Sequence, residues 1–229
     1  MLSLLKKDVM AFFSSWVGWG IMTSFSVLMG IYVWWIEGNV LDFGYAELSV
    51  FFDLSPWFFL FFIPALAMNS ISEEVDLGTF QLLRSLPISL FQIQLAKLFA
   101  LIGIVVVTLL PSLLFVYTIA SLGFPPTNFD TSLILGGYLA LFLLTSVFVF
   151  LGVLASSLSK KQPLAFIMGL ALNFFFWQGT NEIGIEVLDL SAHYSRMSMG
   201  VLSFSDLSFF FGLLLVLGGL IRIRLGRLI

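Results

Sequence analysis

Long stretches without a single charged side chain govern what this chain can fold into. They run over Val9–Ile36, Leu54–Ser72, Leu98–Phe129, Thr131–Ser159 and Gln162–Asn181, with a shorter one at Leu207–Ile221. A bilayer's hydrocarbon core of about 30 Å takes roughly 20 helical residues at 1.5 Å each. Inside it every backbone N–H and C=O must be paired within the protein, which helices achieve on their own. The chain is 60% hydrophobic and 10% charged, where a soluble domain carries about 25% charged residues. It therefore reads as an all-α polytopic membrane protein, residues 1–229 forming one six-helix domain. Spans are predicted near 15–36, 55–72, 98–120, 133–157, 163–180 and 207–224. The last reaches spanning length only if Arg222 and Arg224 snorkel to the interface.

Charge gives these helices a direction. Nine of the ten Lys and Arg residues fall in the N-terminus (Lys6, Lys7), the 73–97 segment (Arg84, Lys97), the 158–162 turn (Lys160, Lys161) and the C-terminus (Arg222, Arg224, Arg227). The alternate loops, 37–53, 121–131 and 181–206, hold Arg196 as their one base against nine acids. The positive-inside rule then places both termini in the cytoplasm. The first apolar run is too long for a cleaved signal and lacks a small-x-small site. Before it, Leu5, Val9, Phe12 and Phe13 form an i, i+4, i+7, i+8 stripe with Lys6, Lys7 and Asp8 off it, the pattern of an amphipathic N-terminal interfacial helix.

Several functions are disfavoured. No ionisable side chain lies centrally in any predicted span, whereas ion-coupled carriers and pumps place such groups at depth. Nucleotide-binding, zinc-protease and serine-hydrolase signatures are missing from the sequence, and it has no cysteine. A triad of Ser191 or Ser195 with His193 and Asp189 exists only on paper, since such triads are defined by geometry. The reading is therefore a non-enzyme without catalytic residues, metal ligands or nucleic-acid partner, embedded in lipid and drawing energy from outside the bilayer. Pro64 and Pro111 predict kinks, and Gly136–Gly137 and Gly218–Gly219 close helix contacts.

The segment between the second and third spans carries the functional signal. Ser70 and Glu73 have capping-box spacing, Glu73, Glu74 and Asp76 suit a helix N-terminus, and Pro87 ends a helix predicted over 73–86; Ser89 then starts the next. At 100° per residue, Val75, Thr79, Leu82, Leu83 and Leu86 share one arc. Glu73, Glu74, Gly78, Gln81, Arg84 and Ser85 lie opposite. Leu77 and Phe80 fall among the polar residues, where a partner's groove would cover them.

The run Glu73-Glu74…Gly78-Thr79…Leu82-Leu83…Leu86-Pro87-Ile88-Ser89…Gln92…Lys97 resembles the coupling segment of ABC-2 type permeases, six-helix subunits of ATP-driven exporters. Residues 54–65 and the pattern His193-Tyr194-Ser195-Arg196…Gly200…Asp206-Leu207 resemble the F subunits of gliding-motility ABC transporters of Bacteroidota. Gln81 departs from the Glu common there. The resemblance implies a multi-pass protein of the bacterial inner membrane and a separate ATPase subunit that binds ATP and Mg2+. It also implies a second permease, or a second copy of this chain. The ATPase would be met by Glu73, Glu74, Leu77, Gly78, Thr79, Phe80, Gln81, Arg84 and Pro87. Lys160 and Lys161 are the candidate second cytoplasmic contact. His193, Tyr194, Arg196, Gly200 and Asp206 belong to the candidate external docking loop. A haem-exporter-type permease and a non-transporting membrane scaffold are the alternatives.

Overall fold

A computed structural model describes residues 1–36, 48–80, 89–122, 130–182, 184 and 188–227. The chain folds as helices, with no strand among the described residues. They are α1 (Leu2–Phe13), α2 (Trp16–Trp34), α3 (Ser49–Asp76), α4 (Leu90–Leu109), α5 (Leu113–Leu122), α6 (Thr131–Leu158), α7 (Gln162–Phe174), α8 (Leu190–Ser198) and α9 (Phe204–Arg227). A 3-10 turn over Leu110–Ser112 joins α4 to α5, and a π turn over Phe175–Gly179 continues α7 into a short helical turn, Thr180–Glu182.

Among the described residues, four units are long and apolar enough to cross a membrane: α3, α4 together with α5, α6, and α9. A fifth is available if α1 and the Gly18–Trp34 part of α2, which meet at 64°, count as one broken span. The predicted span at 163–180 is where the structure differs. Its α-helical part, α7, has 13 residues and so covers about 20 Å before the backbone widens into the π turn. The weakest prediction gains length, because α9 starts at Phe204 and runs through Arg227.

α6 is the central post. It packs against α3, α4, α7, α8 and α9. Most of its own side chains are buried, among them Leu141, Leu144, Phe148 and Leu151. Small residues bring its neighbours close: a Cβ on Gly152 would stand 2.7 Å from that of Ala67, and one on Gly169 in α7 would stand 3.2 Å from Pro64 Cβ. Pro64 thus sits inside a continuous α3, opposite glycine and alanine, where close packing offsets its missing hydrogen bond. Pro111 acts differently. It changes the winding from α to 3-10, and the Ser112 hydroxyl pairs with Leu109 O at 2.7 Å and Tyr138 Oη at 2.8 Å.

One boundary and one helix face differ from the sequence reading. Phe51 and Phe52, assigned there to an acidic external loop, are fully buried in the first turn of α3, because that helix begins at Ser49. The rest of that loop, 37–47, lies outside the described residues. α1 is a separate helix, capped off from α2 by Ser15, whose Oγ accepts from Gly18 N at 3.1 Å. Its inward face is rotated from the predicted stripe: Leu4 is the buried residue, and Asp8 turns toward Lys97.

Candidate functional site at the base of the α3–α4 segment

No helix begins at Glu73. α3 continues through Asp76, so Ser70 and Glu73 lie inside it and cannot form a cap. The helix is held in its last turns by α6: the Ser156 hydroxyl accepts from Ile71 N at 3.1 Å and Ser72 N at 3.0 Å, and donates to Met68 O at 2.9 Å. It stops at Leu77, whose N–H reaches Glu73 O at 2.9 Å. Gly78 follows with φ +68°, the left-handed residue that commonly closes helices and that costs glycine least. Thr79 Oγ1 returns a hydrogen bond to Glu74 O at 3.3 Å.

This turn sorts the predicted contact residues. Leu77 is 68% exposed, as the sequence predicts. Phe80 is not: the turn swings it into the core, where 4% of it remains exposed. Gln81, Arg84 and Pro87 lie outside the described residues. On the far side the capping box is Ser89 with Gln92, in which Gln92 N donates to Ser89 Oγ at 3.3 Å and Ser89 N to Gln92 Oε1 at 3.1 Å.

Beneath the turn lies an ion-pair network. Lys97 Nζ is 2.6 Å from Glu74 Oε1 and 3.2 Å from Asp8 Oδ2; Lys7 Nζ lies 3.4 Å from the same Glu74 oxygen. Glu74 and Lys97 are nearly sequestered. The segment's two flanking helices and α1 therefore share one cluster of charge. Other bases lie at the same end of α6 that holds Ile71 and Ser72: Arg224 Nε donates to Ser157 O at 3.2 Å, and Lys160 and Lys161 stand exposed on the turn after α6, with Ser159 Oγ accepting from Lys161 N.

At the other end α8 lies across the bundle. Asp189 caps it, its Oδ1 accepting from Ser191 N at 3.0 Å. Leu190, Tyr194, Met197 and Ser198 face inward. Tyr194 donates to Phe52 O at 2.6 Å, so it is core rather than docking surface. Burial, and secondly the charge of Asp53, raise its hydroxyl well above the ordinary tyrosine range. Asp206 is also buried, its Oδ1 2.6 Å from both His193 Nδ1 and Arg196 Nη2. Arg196 Nη2 also approaches His193 Nδ1 to 2.8 Å, so the three side chains form one closed cluster. His193 stacks on Phe209 at 4.0 Å, and Gly200 (φ +83°) closes against Ser132 and Leu133. Of the five predicted docking residues, Arg196 alone keeps half its side chain exposed.

A helical membrane protein with a charged clamp beneath one inter-helix segment fits several classes of transporter. Its sequence decides among them: residues 9–204 match the model for the ABC-2 family transporter proteins. The chain belongs to that family. Comparison with curated proteins gives no match. As an ABC-2 permease it is the membrane-embedded component of an ABC transporter, and membership implies an ATPase partner.

Sequence reasoning about this permease singled out the α3–α4 segment and missed the ion pairs at its base. Lys97 read as one of the bases of the 73–97 segment, and Asp8 as the polar side of an interfacial helix. The available signal was a lone ammonium beside an apolar run, which is costly unless paired.

Proposed function

We propose that this ABC-2 permease is one transmembrane half of an exporter of the bacterial inner membrane, driven by a separate ATPase subunit and associated with gliding motility. The exposed Leu77 and the Gly78 turn, standing directly on the Glu74–Lys97 pair, carry this reading. A push on that turn reaches both flanking helices through the buried Glu74–Lys97 ion pair. Gathering of the bases at the same end supports a cytoplasmic location for it. Six spans follow if α7 and its π turn cross together and α1–α2 forms the first; both termini are then cytoplasmic.

The chain performs no chemistry of its own in this scheme. ATP and Mg2+ belong to the ATPase, whose cleft would receive Leu77 and the Gly78 turn, with Lys160 and Lys161 as a second contact. Six helices enclose too little for a substrate path, so a second permease or a second copy completes the channel or transmits force. The gliding assignment rests on the resemblance of residues 54–65 and 193–207.

A mild-detergent pull-down from native membranes, with mass spectrometry of what accompanies the chain, is the test. Recovery of an ABC ATPase and a second membrane subunit is expected. A chain recovered alone would overturn the proposal and favour a scaffold.

A further inference from the structure

Two prolines lie inside α3, and each deprives a carbonyl of its partner. Pro56 and Pro64 have no N–H, so Phe52 O and Leu60 O lose the donor four residues on. Within a bilayer such groups must be paired from inside the protein. Tyr194 on α8 serves the first, its hydroxyl donating to Phe52 O at 2.6 Å. Toward the other end of α3, Ser156 on α6 bonds Ile71 N, Ser72 N and Met68 O. α3 is thus fixed to its neighbours on both sides of Pro64.

α7 packs along the stretch between. It runs antiparallel to α3: a Cβ on Gly169 would stand 3.2 Å from Pro64 Cβ, and the rings of Trp177 and Trp57 meet at 6.4 Å. Asn173 lies one turn beyond Gly169 and Leu60 one turn before Pro64, so the two residues are level. A helical side chain leans toward its helix's N-terminus, which carries the Asn173 amide toward Pro64, and Leu60 O points the same way along α3. Asn173 is fully buried, and neither its Nδ2 nor its Oδ1 has a hydrogen-bond partner among the described residues. The helices that α7 packs against, α3 and α6, are described throughout. A buried amide left unpaired is costly. Directly after Asn173 comes the π turn Phe175–Gly179, whose i→i+5 winding holds one residue more than an α turn, and Trp177 Nε1 within it is unpaired as well.

We propose that α7 is a shear element with two registers against α3. In the register of this structure Asn173 is unpaired; in the other its Nδ2 donates to Leu60 O, as Tyr194 does to Phe52 O. Conversion of the π turn to α winding supplies the shift, since taking up the extra residue moves α7 along its axis while α8 stays tied by Tyr194. The contact is built for sliding: Gly169 meets Pro64, Ala155 and Gly152, so no bulky side chain locks either register. The Lys160–Lys161 turn opens directly into α7, so an ATPase contact there would act on this register; that step alone rests on the function proposed above.

The test is NMR of side-chain amides in the full chain, purified in mild detergent without a partner and labelled with nitrogen-15 at its five asparagines. The Asn173 signal is the one lost in Asn173→Leu. Two Asn173 signals in exchange are expected, one moved downfield as a hydrogen-bonded amide is. Pro64→Ala returns an N–H to Leu60 O and should remove the hydrogen-bonded signal. Gly169→Ala, which crowds Pro64, should shift the ratio of the two and keeps the test valid if the first variant fails to fold. A single Asn173 signal overturns the proposal, whether it stands alone or shows a cross-peak to a buried water. So do two signals that a folded variant leaves unaltered. With no ATPase present, failure here leaves the docking reading standing, and loss of ATPase recovery leaves the two registers standing.

Discussion

Glu74 Oε1 and Lys97 Nζ stand 2.6 Å apart, joining the last turn of α3 to the second turn of α4 across the segment between them. Both side chains are withdrawn from solvent, so each depends on the other to hold its charge. Lys97→Met leaves a buried carboxylate with, among the described residues, the exposed Lys7 as its remaining cation, and should cost about 3–5 kcal/mol, whereas pairing it with Glu74→Leu should recover most of that loss. Unfolding in mixed micelles gives the numbers. Additive losses in the double variant would mean that the pair is not the unit that holds the helices.

The same contact determines which substitutions report on docking. Glu74→Lys would set a second cation against Lys97 and disturb the fold, and Gly78→Trp would strain a residue at φ +68°. Leu77→Asp is the cleaner probe. Its exposed side chain should leave stability within about 0.5 kcal/mol of the parent while abolishing recovery of the ATPase. Normal recovery would remove the turn from the coupling route.

Close approach of α6 to the chain around α8 depends on a missing side chain. A Cβ on Gly136 would lie 2.6 Å from Met197 O and 2.9 Å from Gly200 Cα, both backbone atoms. Gly136→Ala should therefore destabilise by about 1–3 kcal/mol. Gly219→Ala meets nothing within 4 Å and should gain about 0.5–1 kcal/mol from helix propensity. Thermal unfolding of the two variants should move in opposite directions.

Tyr194 predicts an alkaline limb in stability. Its folded pKa is raised, first by burial and then by Asp53, above the unfolded value of about 10. Its contribution is complete below that pH and is lost as pH rises from there toward the folded pKa. Tyr194→Phe should cost about 1 kcal/mol at neutral pH through the lost bond to Phe52 O and should lessen the decline between about pH 9 and 11. Unfolding at the two pH values checks both; an unchanged slope would mean that Tyr194 does not titrate with unfolding.

Asp206 ties α9 to α8 through His193 and Arg196. Asp206→Asn removes the charge that both donors share. Amide hydrogen exchange over Leu190–Ser198 should quicken while membrane insertion stays intact. Exchange equal to the parent's would show that α8 is held by its apolar face alone.

Much of this was written locally in the chain. Charge-free stretches predicted the long helices, since an apolar run of that length has few other fates, and Ser89 gave the start of α4 correctly. The Ser70–Glu73 spacing failed because a capping box needs the cap residue to leave helical geometry, and α6 holds α3 in helix past that point through Ser156. Phe80 was placed on a wheel drawn for one straight helix; the turn at Gly78 re-aims it inward. The stripe on α1 misjudged Asp8, since a carboxylate on a helix face reads as solvated unless its distant partner is known.

The sequence alone therefore determined the class, the runs fit for lipid, the asymmetry of charge and the segment that bears the coupling resemblance, because each depends on composition or on residues a few positions apart. Tertiary structure decided where α3 ends, that Phe52 and Tyr194 are core, and that Asp8, Glu74 and Lys97 form one cluster. Those outcomes depend on contacts between residues far apart in the chain, and the cost of burying an unpaired charge or hydroxyl is settled only when the partner arrives.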